Sequence, residues 1–197
     1  ALGYDIAQNL FISKNNLLVE GPSDLIYLTM MSSILETSGR EFLQESITIV
    51  PVGGLDKVTS FISLLRGQSL NIVCILDTFI DQKGKRRLED LISMKIIKDK
   101  NVLFFDGFDS LDGDIADLED LFDKSEYVEF FNKAFSEYDD IDVSNIDNEK
   151  SPILPQINKL IGKTRFNHYR PANYANGAGL LPENFSAETL SRFENLF

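Results

Sequence analysis

A chain of 197 residues with 43% hydrophobic content can bury one sizeable core with room for a smaller appendage, and nothing in its composition marks it as disordered. Its formal net charge of −12 excludes binding of nucleic acid through an evenly spread surface, so such binding needs cations held by the carboxylates or a local basic patch. No run approaches membrane-spanning length and residues 1–5 lack a basic region and an apolar secretion core, which points to the cytoplasm; the single Cys74, inside the apolar run 72–76, excludes an internal disulfide framework and reads as a core residue.

In chain order, Leu2, Ile6, Leu10 and Phe11 recur at helical spacing, so residues 1–13 read as an amphipathic linker helix, and the missing initiator Met reads as the start of a fragment. The short apolar run Leu17-Leu18-Val19 reads as a buried strand that carries Glu20 at its tip. Gly21-Pro22 breaks that strand, and Ser23 is expected to cap a helix through Leu25, Tyr27, Leu28 and Met31 with Asp24 in its first turn. Residues 47–52 are β-branched enough for a second strand; Gly53-Gly54 ends it and starts a helix over residues 55–65. The third strand, residues 71–76, is nearly all apolar, as in a central parallel strand buried on both faces, and it ends in Asp77. Glu20 and Asp77 therefore recur at the carboxyl ends of strands, the rim on which open parallel sheets bind ligands.

Lys83, Lys85, Arg86 and Arg87 form a basic cluster that leads into a helix with Leu88, Leu91 and Ile92 inward. Cations at a helix N-terminus oppose the dipole and favour a partner such as phosphate, while a solvated helix start is the ordinary alternative. A fourth strand is expected at residues 102–105, then the acidic segment 116–122, in which a helix would turn Leu118, Leu121 and Phe122 inward. A core-facing amphipathic helix over residues 126–138 follows, with Tyr127, Phe130, Phe131 and Phe135. Residues 139–147 read as a mobile acidic link, and a helical extension begins near Lys150 and closes with a glycine-rich loop and a last helix, residues 186–197. His168 has no ligand partner at metal-binding spacing and serves either packing or proton transfer. No Walker A pattern occurs, so this piece is not expected to hydrolyse ATP.

A strand ending in Glu20-Gly21 and a later strand ending in Asp77 resemble the Toprim domain shared by topoisomerases, primases and certain nucleases. Residues 17–24, Val52-Gly53-Gly54 and residues 116–122 resemble more narrowly the C-terminal part of the OLD (overcoming lysogenization defect) family of ATP-dependent endonucleases. The resemblance implies an α/β Toprim-like Rossmannoid, a mostly parallel sheet of about four strands flanked by helices, with a helical C-terminal extension. The division it implies is a linker over 1–13 from an upstream ATPase, a Toprim catalytic domain over 14–138, and an acidic linker with helical extension over 139–197.

In function, the resemblance implies metal-dependent DNA cleavage, with Glu20, Asp24, Asp77, Asp117 and Glu119 binding one or two Mg²⁺ or Mn²⁺ ions, and a role in anti-phage defence. Asp77 matches the first acid of the family's Asp-x-Asp; Phe79 stands at the second, with Asp81 as a substitute ligand. Lys150 is the best match to the family's lysine and Lys163 a weaker one. Hard oxygen ligands suit such ions, and clustered carboxylates without them repel one another. Catalysis is thus assigned to Glu20, Asp77 and Lys150, and DNA guidance to Lys83, Lys85 and Arg86 with Arg87. ATP enters only through the upstream ATPase, DNA is the partner, no membrane is involved, and a homo-oligomer stays open. The alternatives are a non-catalytic Toprim-like DNA-binding or regulatory domain and, last, a primase- or topoisomerase-like activity.

Overall fold

A computed structural model describes residues 14–64, 70–78, 82–108, 116–147 and 152–197. The expected linker helix of residues 1–13, together with Phe79, Asp81 and Lys150, lies outside the described residues.

Four short strands, β1 (Asn15–Val19), β2 (Ile47–Pro51), β3 (Asn71–Leu76) and β4 (Val102–Phe104), form one parallel sheet in the order β2-β1-β3-β4. Successive residues of β1 and β3 enter opposite cores, which is why these runs are apolar without alternation. Val19 and Ile75 belong to the core under helix α1 (Pro22–Thr37), whereas Leu18, Cys74 and Leu76 join Val58 and Ile62 of α2 (Leu55–Leu64) and Leu88 and Leu91 of α3 (Gln82–Ser93). Cys74 is fully buried, and burial pushes its thiol up to about 12, so it behaves as an apolar filler.

The chain leaves β1 for β2 on one side and returns to β3 on the other, so the strand order reverses between β1 and β3. Such a switch point opens a crevice beyond the carboxyl ends of the two strands. The pairing of Leu18 with Cys74 sets Glu20 and Asp77 at neighbouring strand ends over that opening.

Helices α4 (Lys124–Ala134), α5 (Ile153–Leu160), α6 (Tyr169–Gly177) and α7 (Ala187–Leu196) extend the core beneath α1. Aromatic rings knit them together: Phe122 meets Tyr27, Phe130 and Phe193 at centroid distances of 5.0, 5.5 and 4.9 Å, and Phe131 meets Phe166 at 5.0 Å. At the N-terminus of α4, Glu126 accepts bonds from Asp123 N–H, Ser186 N–H and Thr189 Oγ1, which ties α4 to the start of α7.

The structure corrects several local expectations. Ser23 does not cap α1. Gly21 is the cap residue, Pro22 opens the helix, and Asp24 takes the Gly21 N–H at 2.9 Å, because proline's fixed φ suits the first helical position. Residues 118–121 form a 3₁₀ turn rather than an α-helix. Residues 139–147 are no loose link: Ile141 and Ile146 are buried, Asn132 pairs with both the N–H and the carbonyl of Ile141 at 2.9 Å, and residues 143–145 make a 3₁₀ turn. Helix α6 occupies the stretch expected to lead into a loop; its Pro171 sits in the first turn, where a missing N–H costs no helical bond.

Candidate acidic crevice

The crevice is assembled by backbone devices at the carboxyl ends of β1 and β3. Beyond β1, the carbonyl of Glu20 accepts the N–H groups of Gly53 and Gly54 at 2.8 and 2.9 Å. Gly53 (φ +84°) and Gly54 (φ +109°) hold a left-handed turn that a side chain would strain, so the Val52-Gly53-Gly54 motif fastens β2 to the root of Glu20. The pair thus has the structural role that its sequence favours.

Beyond β3, the segment 116–118 zips onto the strand end. Thr78 N–H donates to the Ala116 carbonyl at 2.9 Å, Ala116 N–H to Thr78 Oγ1 at 3.2 Å, and Leu118 N–H to Asp77 Oδ1 at 3.3 Å. This brings Asp117 and Glu119 to Asp77 although some forty residues separate them in sequence. Asp120 is the anchor of the turn: its two oxygens accept the N–H groups of Asp117 at 2.9 Å and of Ile153, at the start of α5, at 2.8 Å.

Five carboxylates thereby share one field: Glu20, Asp24, Asp77, Asp117 and Glu119. Burial, then the charge of Asp24, push Glu20 up to about 7, with Asp117 adding to the rise; the backbone N–H of Asp77 and the guanidinium of Arg165 pull the other way. Burial and the neighbouring Asp120 and Asp24 also push Asp117 up to about 7. Asp77 and Glu119 rise well above the ordinary carboxylate range, through burial first and then the other acids of the set. Asp24 rises through burial, opposed by its bonds from Gly21 N–H and from Ser23 Oγ at 3.2 Å.

These acids share a field without converging on one point. Among the described residues no group of three or more His, Cys, Asp or Glu side chains is arranged to hold a metal ion. The chemistry of the set nevertheless fits a hard divalent cation: all donors are carboxylate oxygens, their mutual repulsion is relieved by positive charge, and Glu20 Oε1 is buried without a partner among the described residues.

Arg165, exposed on the turn after α5, was missed by sequence reasoning. It is the cation that lowers Glu20, and it also helps to hold the largely buried His168 down to about 4, burial being the larger cause. Its only signal was proximity to Lys163, itself exposed on the same turn. Lys83, Lys85, Arg86 and Arg87 all fall in the first half of α3, just beyond the Asp77 end of β3, with Arg86 exposed.

Residues 11–78 match the sequence model of the family described as Overcoming lysogenization defect protein-like, TOPRIM domain. Over those residues the chain has the sequence pattern of an OLD-like Toprim domain. In structure, the chain is similar to the C-terminal region of the Xanthomonas campestris pv. campestris OLD protein, with 16% identity, a TM-score of 0.52 and coverage of 94% of this chain and 96% of that one. A second structure of that region gives 18% identity and a TM-score of 0.52 over 94% and 97% of the two chains. The C-terminal region of the Burkholderia pseudomallei OLD protein gives 15% identity and 0.51 over 94% and 99%. At these identities the likeness shows a shared fold, and it extends through the C-terminal helices that the Toprim match does not reach. No curated protein sequence matches the chain. No helix among the described residues is long and apolar enough to cross a membrane.

Proposed function

We propose that the acidic crevice of this OLD-like Toprim domain binds one or two divalent cations, Mg²⁺ or Mn²⁺, and that the protein cleaves DNA phosphodiester bonds there. The observation that carries the reading is the gathering of Glu20, Asp24, Asp77, Asp117 and Glu119 at a topological switch point, where their shared burial disfavours every negative charge unless a cation joins them.

Those five residues would hold the ions, whose chemistry is to activate water and neutralise charge on the phosphoryl oxygens. The chain's own groups do the positioning. Backbone bonds from Gly53 and Gly54 fix the root of Glu20, and the Leu118 N–H holds the Asp77 carboxylate through Oδ1, so these donors are held at the sheet's edge rather than by mobile loops. Arg165, whose positive charge lowers Glu20, supplies a planar donor fork that suits a phosphate oxygen pair. Lys150 keeps the transition-state role assigned from the resemblance, and α3 offers Lys83, Lys85, Arg86 and Arg87 to the DNA backbone. An ATPase elsewhere in the full-length protein is the partner that the family resemblance implies.

A second reading, a Toprim-like domain that grips DNA without cutting it, draws on the absence of a ligand-ready group among the described residues and on Phe79 standing where the family has an acid. Relaxation of supercoiled plasmid separates the two. The nuclease reading expects nicked or linear product with Mg²⁺ or Mn²⁺, none with EDTA, and none from a folded Asp77→Asn protein. Binding without any cleavage in either metal, by the full-length protein as well, sinks it in favour of the second reading.

A further inference from the structure

An open parallel sheet flanked by helices needs cover on both faces. Leu17 pairs with Val73 and Ile75 with Leu103, and side chains two apart along a strand share a face, so these four residues lie on the face that carries Val19. The opposite face is closed by α2 and α3 over Leu18, Cys74 and Leu76. On the Val19 face, α1 and the end of α7 leave a gap. Leu103 is 39% exposed there, and the four sheet residues line a cavity of about 320 Å³ together with Leu196 and Phe197 at the end of α7.

The chain enters the sheet at this cavity. Asn71 donates its N–H to the Lys14 carbonyl at 2.8 Å and its Nδ2 to Asn15 Oδ1 at 2.7 Å, and Asn15 and Asn71 both belong to the lining. Residues 1–13, outside the described residues, therefore join the fold at the rim of the cavity. Their sequence carries Leu2, Ile6 and Leu10 at four-residue spacing with Phe11 beside them, the stripe of an amphipathic helix, and Asp5 is its sole charged side chain. The described lining of the cavity holds no charged side chain either, which suits it to such a stripe. A helix of this length reaches about 20 Å, and the three strand-to-strand steps of the sheet span about 14 Å, so the stripe is long enough to cross the open face. So short a helix is marginal in water and forms against an apolar surface.

We propose that residues 1–13 dock as an amphipathic helix on the open face of the sheet, with Leu2, Ile6 and Leu10 filling the cavity between Leu103 and the end of α7. Removal of apolar side chains from water on both partners drives the docking, and the tether at Lys14 keeps the segment at high effective concentration. The segment leads straight into β1, so docking ties it to the strand that carries Glu20 at its far end.

Iodoacetamide labelling of a Leu103→Cys chain tests it, compared with the same chain carrying Ile6→Asp and Leu10→Asp as well. The native Cys74 is fully buried with its thiol pushed up to about 12, so it stays silent in a folded chain and reports any unfolding. A docked state populated about nine parts in ten slows labelling of the introduced thiol about tenfold relative to the chain with both Asp substitutions. Equal rates, with Cys74 silent in both chains, overturn the proposal. Slow labelling that is lost on dilution assigns the cover to a second copy of the chain and overturns it too. Hydrogen exchange of the unsubstituted chain gives a reading that no variant can disturb: protected amides between residues 4 and 13 are expected, and exchange there at the rate of an unfolded peptide overturns the docking.

Discussion

At the scale of single residues, the crevice acids are held in a state that opposes their own ionisation. Glu20 rises from 4.5 to about 7 and Asp117 from 3.8 to about 7, so between about pH 4 and pH 7 the folded protein keeps protons that the unfolded chain has released. The contribution of these groups to folding is therefore largest below their unfolded values and is lost as the pH rises through about 7. In EDTA the melting temperature is expected to fall as pH increases from 5 to 8 (about the span of the two shifts). Adding Mg²⁺ or Mn²⁺ at pH 8 should restore it by binding only the native state. Thermal scans in both media check this, and a metal-free Tm that climbs over the same window contradicts the electrostatics. Glu20→Gln removes one of the opposed charges while keeping shape, so it should raise metal-free stability at pH 8 while eliminating cleavage, a pairing that distinguishes a functional acid from a structural one.

At the scale of elements, the site depends on turns more than on helices. Replacing Asp120 by Ala leaves the N–H groups of Asp117 and Ile153 without their acceptor and should cost about 2–4 kcal/mol, with the 118–121 turn and the start of α5 loosening together. Hydrogen exchange of those amides and urea denaturation read the loss; a change below about 0.5 kcal/mol, the range of ordinary surface substitutions, argues against the anchor role. Gly54→Ala meets no neighbouring atom but must adopt φ near +109°, so strain alone should cost about 1–2 kcal/mol. Strands β1 and β3, and hence the places of Glu20 and Asp77, were legible because consecutive apolar residues have no explanation other than burial on two faces. The 116–121 segment was legible as acidic but not as a turn, because what shapes it is a bond from Leu118 N–H to Asp77, a partner remote in sequence. The order of residues 139–147 escaped notice for a related reason: two isoleucines and one Asn132 amide outweigh the acidic residues around them. Helix α6 was masked by Pro171 and Gly177, each of which is tolerated at the end of the helix it occupies.

At the scale of the whole molecule, the proposed cleavage of DNA asks a chain of net charge −12 to approach a polyanion through local exceptions to its own field. The start of α3 is proposed as such an exception; it follows the Asp77 strand in sequence, and its helix packs onto the sheet through Leu88 and Leu91. Neutralising Lys83 and Lys85 together should weaken DNA binding across sequences and flatten its salt dependence by about 0.9 for each phosphate that the protein no longer neutralises, with little effect on metal affinity. Binding isotherms at several salt concentrations decide it, and an unchanged slope leaves only a solvated helix start. Arg165 offers a contrasting case: exposed after α5 and far from the strands in sequence, it lowers Glu20 across the fold through its charge.

Everything proposed for the crevice depends on cations occupying it, and equilibrium Mn²⁺ binding at pH 8, followed by the electron paramagnetic resonance signal of the free ion, tests that most directly. The account predicts saturable binding of one or two ions per chain, lost or weakened by at least about tenfold in folded Glu20→Gln and Asp77→Asn proteins. No saturable binding, or binding that both substitutions leave unchanged, would contradict it.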